Sequence, residues 1–180
     1  MAKSLAGNIY VVFGFLLSHL VSSAPTKRQV LNCERCEDEA HGFASLNGGT
    51  YGGRGGGVVV ATTHEELKTY AGSDEPLIIR VDGEIISDPL GYEIPIASNK
   101  TIIGINATAH LIGGGFTIKQ QSNIILRNLE ISDTRIPEDW AGKTEDWDGI
   151  QVDTGTNIWI DHVKVSVHSK SSQPRSAISD

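Results

Sequence analysis

From residue 58 onward the hydrophobic positions fall into short β-branched runs separated by turn residues. The runs are VVVA at 58 to 61, PLIIRV at 76 to 81, GEII at 83 to 86, TIIGI at 101 to 105, HLIG at 110 to 113, FTI at 116 to 118, NIILRNLEI at 123 to 131, GIQV at 149 to 152 and NIWIDHVKV at 157 to 165. Runs of this length and composition, bounded by Gly, Asn and Asp, predict strands. One segment departs from the pattern. Thr63 to Ala71 reads as a short helix, with Thr63 as N-cap, Glu66 three residues later completing a capping box, and Leu67 and Tyr70 forming an apolar side. The fold class expected is therefore all-β.

The runs also repeat. Aligning Thr101-Ile102-Ile103-Gly104 with Ile124-Ile125-Leu126-Arg127 and with Ile158-Trp159-Ile160-Asp161 gives periods of 23 and 34 residues, each led in by an asparagine, Asn99, Asn123 or Asn157. Repeats of this length predict the coils of a solenoid. Secondary strands such as FTI and GIQV lie between them, so each coil contributes more than one strand, as a right-handed parallel β-helix requires. The extra length of the second period falls in DTRIPEDWAGKTEDWD at 133 to 148. An insertion confined to one coil projects from one face, often the binding face. The lead-in asparagines are read as turn residues, since Asn tolerates the left-handed conformation. The glycine-rich run SLNGGTYGGRGGG at 45 to 57 is read as an irregular lead-in that permits tight turns and close backbone approach. A phosphate-cradling loop would need a Gly-Lys-Ser/Thr that does not follow.

The first 23 residues carry Lys3, the apolar run IYVVFGFLLSHLV at 9 to 21, and then small residues, a secretory signal peptide pattern too short for a permanent membrane anchor. Residues 24 to 41 then form a lead-in or pro-segment. Lys27 and Arg28 within it are either a processing site or two solvated charges. The formal charge of the whole chain is −7. Loss of Lys3 with the signal segment makes it more negative, which argues against nucleic acid as a partner. The remaining 157 residues suffice for one domain with a core. Cys33 and Cys36 are the only cysteines. In an exported chain they form a local disulfide or have no structural consequence, and a zinc site lacks ligands. Asn99-Lys100-Thr101 and Asn106-Ala107-Thr108 are glycosylation sequons, with Asn106 the better candidate because Asn99 is expected to turn the backbone.

Candidate chemistry concentrates in TEDWDGIQVDTGTNIWIDH, residues 144 to 162. Asp146 and Asp148 are two apart, which on an extended strand places both carboxylates on one side. Such a pair offers hard oxygen donors suited to Ca²⁺. Glu138, Asp139, Glu145 and Asp153 add negative charge nearby. The competing reading is an acidic, solvated face.

From Gly42 onward the blocks GFASLNGGTYGGRGG, PLIIRVDGEI, SNKTIIGI, HLIGGGFTI, NIILRNLEI and DWDGIQVDTGTNIWIDH resemble, in order, those of secreted pectate lyases. The resemblance covers residues 42 to 166 and implies a pectin lyase-like β-helix. It also implies calcium-assisted β-elimination of α-1,4-polygalacturonate: a proton leaves C5 beside the uronate carboxylate and the glycosidic oxygen leaves C4. Asp146 and Asp148 match the first Ca²⁺-ligand pair, half of the site. Trp159, Asp161 and His162 match the WIDH motif, whose polar side chains are expected to make hydrogen bonds within the helix rather than transfer protons. In the family the base is an arginine on a later coil, in an RxPxxR-like block, after a second acidic segment. Neither block occurs in the 180 residues. The Ser-rich stretch 167 to 180 is expected to be a divergent, disordered tail, and Arg175 within it is assigned no catalytic role. The expectation is thus a secreted, monomeric pectate lyase family protein whose β-helix is incomplete at the C-terminus and whose 180 residues alone are inactive. Pectin or polygalacturonate is the expected partner, and the alternative is a non-catalytic β-helix fragment that binds pectic polysaccharide. Pectin lyase fits less well because DWD keeps the acidic pair, and polygalacturonase lacks its carboxylate set.

Overall fold

A computed structural model of the chain describes residues 40–134 and 147–167. They form a right-handed parallel β-helix with three walls. In the first wall, β1 (Gly57–Ala61), β2 (Leu77–Val81), β5 (Lys100–Gly104) and the first halves of β8 (Ser122–Ser132) and β10 (Thr156–Ser166) pair in that order, all parallel. The second wall stacks β3 (Glu84–Ile86), β6 (His110–Ile112) and the second halves of β8 and β10. The third stacks β4 (Glu93–Pro95), β7 (Gly115–Lys119) and β9 (Ile150–Asp153).

The corner between the first two walls comes from single left-handed residues. Asn128, at φ 51°, bends β8, and His162, at φ 50°, bends β10 at the equivalent position. Asparagine adopts this conformation at low cost. The Asn128 amide also donates to the Gly104 carbonyl of the preceding coil at 2.9 Å. The three lead-in asparagines are left-handed as well, with φ of 61° at Asn99, 59° at Asn123 and 52° at Asn157.

Register corrects the spacing read from the sequence. Thr101 lies beside Ile125 and Lys100 beside Ile124, so the first repeat is longer by one residue than the apolar alignment implied. The physical reason is side-chain direction. Thr101 faces outward, where its hydroxyl accepts from the Gly53 amide at 3.0 Å, while Ile124 faces the interior. A one-residue slip would exchange those faces. The 34-residue offset between Ile124 and Ile158 stands.

The core is a set of inward columns. Ile79, Ile102 and Leu126 stack along one, Ile85, Leu111 and Ile131 along another, and Ile94 lies beside Phe116 in the third wall, all of them buried. Lys100 interrupts a column between Leu77 and Ile124 with no exposed surface. Its ammonium is satisfied by the Ser98 carbonyl at 2.9 Å. Burial lowers its pKa, partly opposed by Asp74.

The helix α1 (His64–Ala71) packs against β1, β2 and β4 and covers one end of the core with Leu67 and Ala71. Its expected capping box is present: Glu66 donates its amide to the Thr63 hydroxyl and returns its carboxylate to the Thr63 amide. His64, which the apolar reading passed over, is buried and meets Tyr92 edge to face. Strand β4 was also not expected, although Ile94 and Ile96 alternate inward.

The glycine-rich lead-in lies across the outside of the first wall. The Asn123 side chain accepts from the Tyr51 amide at 2.6 Å and the Gly52 amide at 2.7 Å, and Asn157 donates to the Gly49 carbonyl at 2.9 Å. Glycine is required where the contact is closest. A Cβ on Gly53 would sit 2.0 Å from the Leu77 carbonyl oxygen.

Candidate functional site

The acidic segment meets the third wall at Trp147, Asp148 and Gly149, immediately before β9. Three coils converge there. The Asp148 amide donates to Glu93 Oε1 of β4 at 3.1 Å. The Gly149 carbonyl accepts from the Phe116 amide at 3.0 Å, which starts the ladder between β7 and β9. The Asp148 carbonyl packs so close to Gly115 that a Cβ there would lie 2.0 Å from it, and the Trp147 ring similarly covers Gly91. Asp148 is half-buried. Along the outward face of the wall Thr117 donates to Gln151 Oε1 at 3.2 Å, and Lys119 pairs in register with the exposed Asp153.

Asp146, its expected partner, lies outside the described residues, as do Glu138, Asp139, Glu145, Cys33, Cys36, the signal segment and the tail with Arg175. Among the described residues no group of three His, Cys, Asp or Glu side chains is arranged to hold a metal ion. The donor chemistry of the Asp146 and Asp148 pair, two carboxylates and no nitrogen or sulfur, suits a hard cation such as Ca²⁺. Glu93 was missed by sequence reasoning, because it lies 55 residues from Asp148 in an element that was not recognised. The alternation in YEIPI was the available signal.

The WIDH residues occupy the first wall and its corner. Trp159 lies beside Ile125 on the outer face, nearly buried under Ala40, with the His41 ring edge-on at 5.3 Å. The Arg127 guanidinium stands 5.2 Å from the Trp159 ring centroid, a cation–π distance. Asp161 Oδ2 accepts from Arg127 Nε at 2.9 Å and from His162 Nδ1 at 2.7 Å. Burial acts to raise the Asp161 pKa, but the hydrogen bond and charge of His162 with the charges of Arg127 and His41 outweigh it, and the net direction is down. Arg127 is a second residue that sequence reasoning missed, although it lies beside Asp161 once the coils are in register. Asn106 is exposed in the loop after β5, and its side chain accepts from the Thr108 amide at 2.9 Å. Among the described residues no helix is long and apolar enough to cross a membrane.

Comparison with known proteins bears on the fold and the family. A family model described as pectate lyase matches residues 16–177. The chain is 42% identical over 130 residues to a pectate trisaccharide-lyase of Thermotoga maritima, covering 69% of this chain and 35% of that protein. It is 33% identical over 157 residues to the pectate lyase plyB of Emericella nidulans, covering 84% of this chain and 44% of the relative. The chain thus spans between a third and a half of the length of these curated relatives. Among solved structures, a pectate lyase from Bacillus sp. N165 in complex with trigalacturonate matches with TM-score 0.59 and 30% identity, over 72% of this chain and 43% of that one. A Bacillus subtilis pectate lyase shares the fold with TM-score 0.59 at 22% identity, over 72% of this chain and 49% of that one. The ordered blocks, the three-walled parallel coils and the match across most of the sequence lead to one assignment: the chain belongs to the pectate lyase family.

Proposed function

We propose that this protein serves β-elimination of α-1,4-polygalacturonate outside the cell, with Ca²⁺ held by Asp146 and Asp148. The observation that carries the reading is the fixed placement of Asp148 at the edge of the third wall, within a pectate lyase family chain. When bound there, the ion supplies Lewis-acid charge withdrawal at a uronate carboxylate. The chain's own part is positional. A protein of net charge −7 repels a polyanionic substrate, and two carboxylates that recruit a shared cation turn that repulsion into a bridge. The outward faces of β7 and β9, with half-buried Thr117 and Gln151 and exposed Lys119, give the polysaccharide a polar surface on the same wall as Asp148.

Elimination also needs an acceptor for the C5 proton, and the glycosidic oxygen must be protonated as it leaves C4. No arginine within residues 1 to 180 stands in an RxPxxR-like block. A polypeptide of these residues alone therefore binds pectate without cleaving it. In this reading residues 1 to 23 direct export, the protein acts as a monomer, and Asn106 is the glycosylated sequon.

Polygalacturonate supplies the test. The purified 180-residue polypeptide is expected to be retained on immobilised polygalacturonate with Ca²⁺, released by a chelator, and to give no rise in ultraviolet absorbance from unsaturated product. Cleavage by this polypeptide refutes the assignment of the base elsewhere. Retention that ignores Ca²⁺ refutes the bridging role of Asp146 and Asp148.

A further inference from the structure

We infer that Glu93 is the positioning residue of the cation site, a clamp on the main chain of Asp148 reached across an intervening coil. This rests on the calcium role proposed for Asp148. Glu93 pairs in register with Gly115, and Gly115 precedes Phe116, which pairs with Ile150. Glu93 and Asp148 therefore stand on opposite sides of the β7 coil. Adjacent parallel strands lie about 4.8 Å apart, so the Glu93 side chain must bridge roughly two such steps to reach Asp148. It does so, with Oε1 3.1 Å from the Asp148 nitrogen.

Two features make the reach possible. Gly115 has no side chain, and that absence lets the Asp148 carbonyl settle against the intervening strand, which brings the Asp148 backbone toward Glu93. The Asp148 amide lies just outside the β7–β9 ladder, which begins with the Phe116 amide and the Gly149 carbonyl, so the carboxylate supplies an acceptor that the strands do not. Trp147 is held on the other flank by its contact with Gly91 in the loop that leads into β4. One short stretch of the first coil, residues 91 to 93, thus fixes both residues at the described end of the acidic segment.

A clamp of this kind sets the direction of a liganding side chain through its backbone, as hydrogen-bonded outer partners do at metal sites generally, where their loss weakens binding about 10- to 100-fold. The requirement is an oxygen acceptor at the right reach. Charge is secondary, and the three substitutions below separate these needs. Glu93→Gln keeps an acceptor oxygen at the same length, Glu93→Asp withdraws it by one methylene, and Glu93→Ala removes it.

The experiment reads two quantities on the full chain: hydrogen exchange of the Asp148 amide without metal, and calorimetric titration with Ca²⁺ alone. Glu93→Ala and Glu93→Asp are expected to speed Asp148 exchange at least tenfold and weaken Ca²⁺ binding at least tenfold. Glu93→Gln should remain within about threefold of the parent in both, since it preserves the acceptor. Equal loss of Ca²⁺ affinity in Glu93→Gln and Glu93→Ala, with Asp148 protection intact in the former, overturns the clamp in favour of direct charge. Unchanged Asp148 exchange in Glu93→Ala overturns it outright. A parent that binds no Ca²⁺ while its Asp148 amide depends on Glu93 overturns the calcium reading and leaves the clamp standing. Circular dichroism melting of each variant identifies any that fail to fold, and the milder Glu93→Gln keeps the comparison decisive.

Discussion

Replacing Asn123 tests how the outer strap is attached to the β-helix. Its side chain accepts from the Tyr51 amide at 2.6 Å and the Gly52 amide at 2.7 Å, and donates to the Gly52 carbonyl at 3.1 Å and to Asn99 Oδ1 at 2.8 Å. Each such bond contributes a net of about 1 kcal/mol, so loss of the side chain is expected to cost about 3 kcal/mol after partial replacement by water. The backbone adds a separate cost. Asn123 sits at φ 59°, which glycine adopts freely and alanine does not, at roughly 1 kcal/mol. Asn123→Gly should therefore destabilise by about 3 kcal/mol and Asn123→Ala by about 4 kcal/mol. Urea unfolding followed by circular dichroism measures both, and tryptophan fluorescence adds a local report because Trp159 lies beneath the start of the strap. The reasoning is refuted if alanine and glycine are equally destabilising, or if either costs less than about 1 kcal/mol.

Three further outcomes are expected. Glu130 has its pKa lowered, chiefly by the hydrogen bond from Lys164, with Ser166 and the charges of Lys164 and His110 assisting and burial opposing. A carboxylate with a depressed folded-state pKa stabilises the fold above its unfolded value, near 4.3 for glutamate, and that contribution disappears as pH falls through the lower folded value. Lys164→Met should thus be less stable than the parent by about 0.5 to 1 kcal/mol at pH 7 and converge with it at acid pH, as urea titrations at both pH values will show. Gly115→Ala places a methyl 2.0 Å from the Asp148 carbonyl oxygen, so it should destabilise by about 1 to 3 kcal/mol and weaken Ca²⁺ binding in calorimetry. Asp161→Asn, which weakens the bonds from Arg127 and His162, should cost about 2 kcal/mol in urea unfolding while leaving Ca²⁺ affinity unchanged, since Asp161 lies on a different wall from Asp148.

Much of the architecture was legible because its rules are local. The Thr63 and Glu66 capping box, the β-branched runs and the left-handed asparagines each depend on neighbours within a few residues, and each is found in the structure. Pairing across coils was harder. Matching apolar to apolar slid TIIG against IILR by one residue, whereas the spacing of Asn99 and Asn123 already held the correct offset, because a turn residue occupies one place in each coil. Lys100 would be read as a surface residue by type, yet a nearby carbonyl makes its burial tolerable. Strand β4 escaped notice because it has three residues and ends in Pro95, and with it went Glu93. The contact between Glu93 and Asp148 has no local signature at all. It exists because two intervening turns of chain bring residues 55 apart to within 3.1 Å.

Titration of Ca²⁺ into the protein, with and without trigalacturonate, tests the central claim most directly. Binding should be weak alone and strengthen when the oligosaccharide is present, by linkage between the cation and an oligosaccharide whose carboxylate shares it with the protein. The double variant Asp146→Asn with Asp148→Asn should lose both the binding and the enhancement while its unfolding midpoint stays within a few degrees of the parent. Ca²⁺ affinity that is indifferent to trigalacturonate, or that survives the double substitution, contradicts the account.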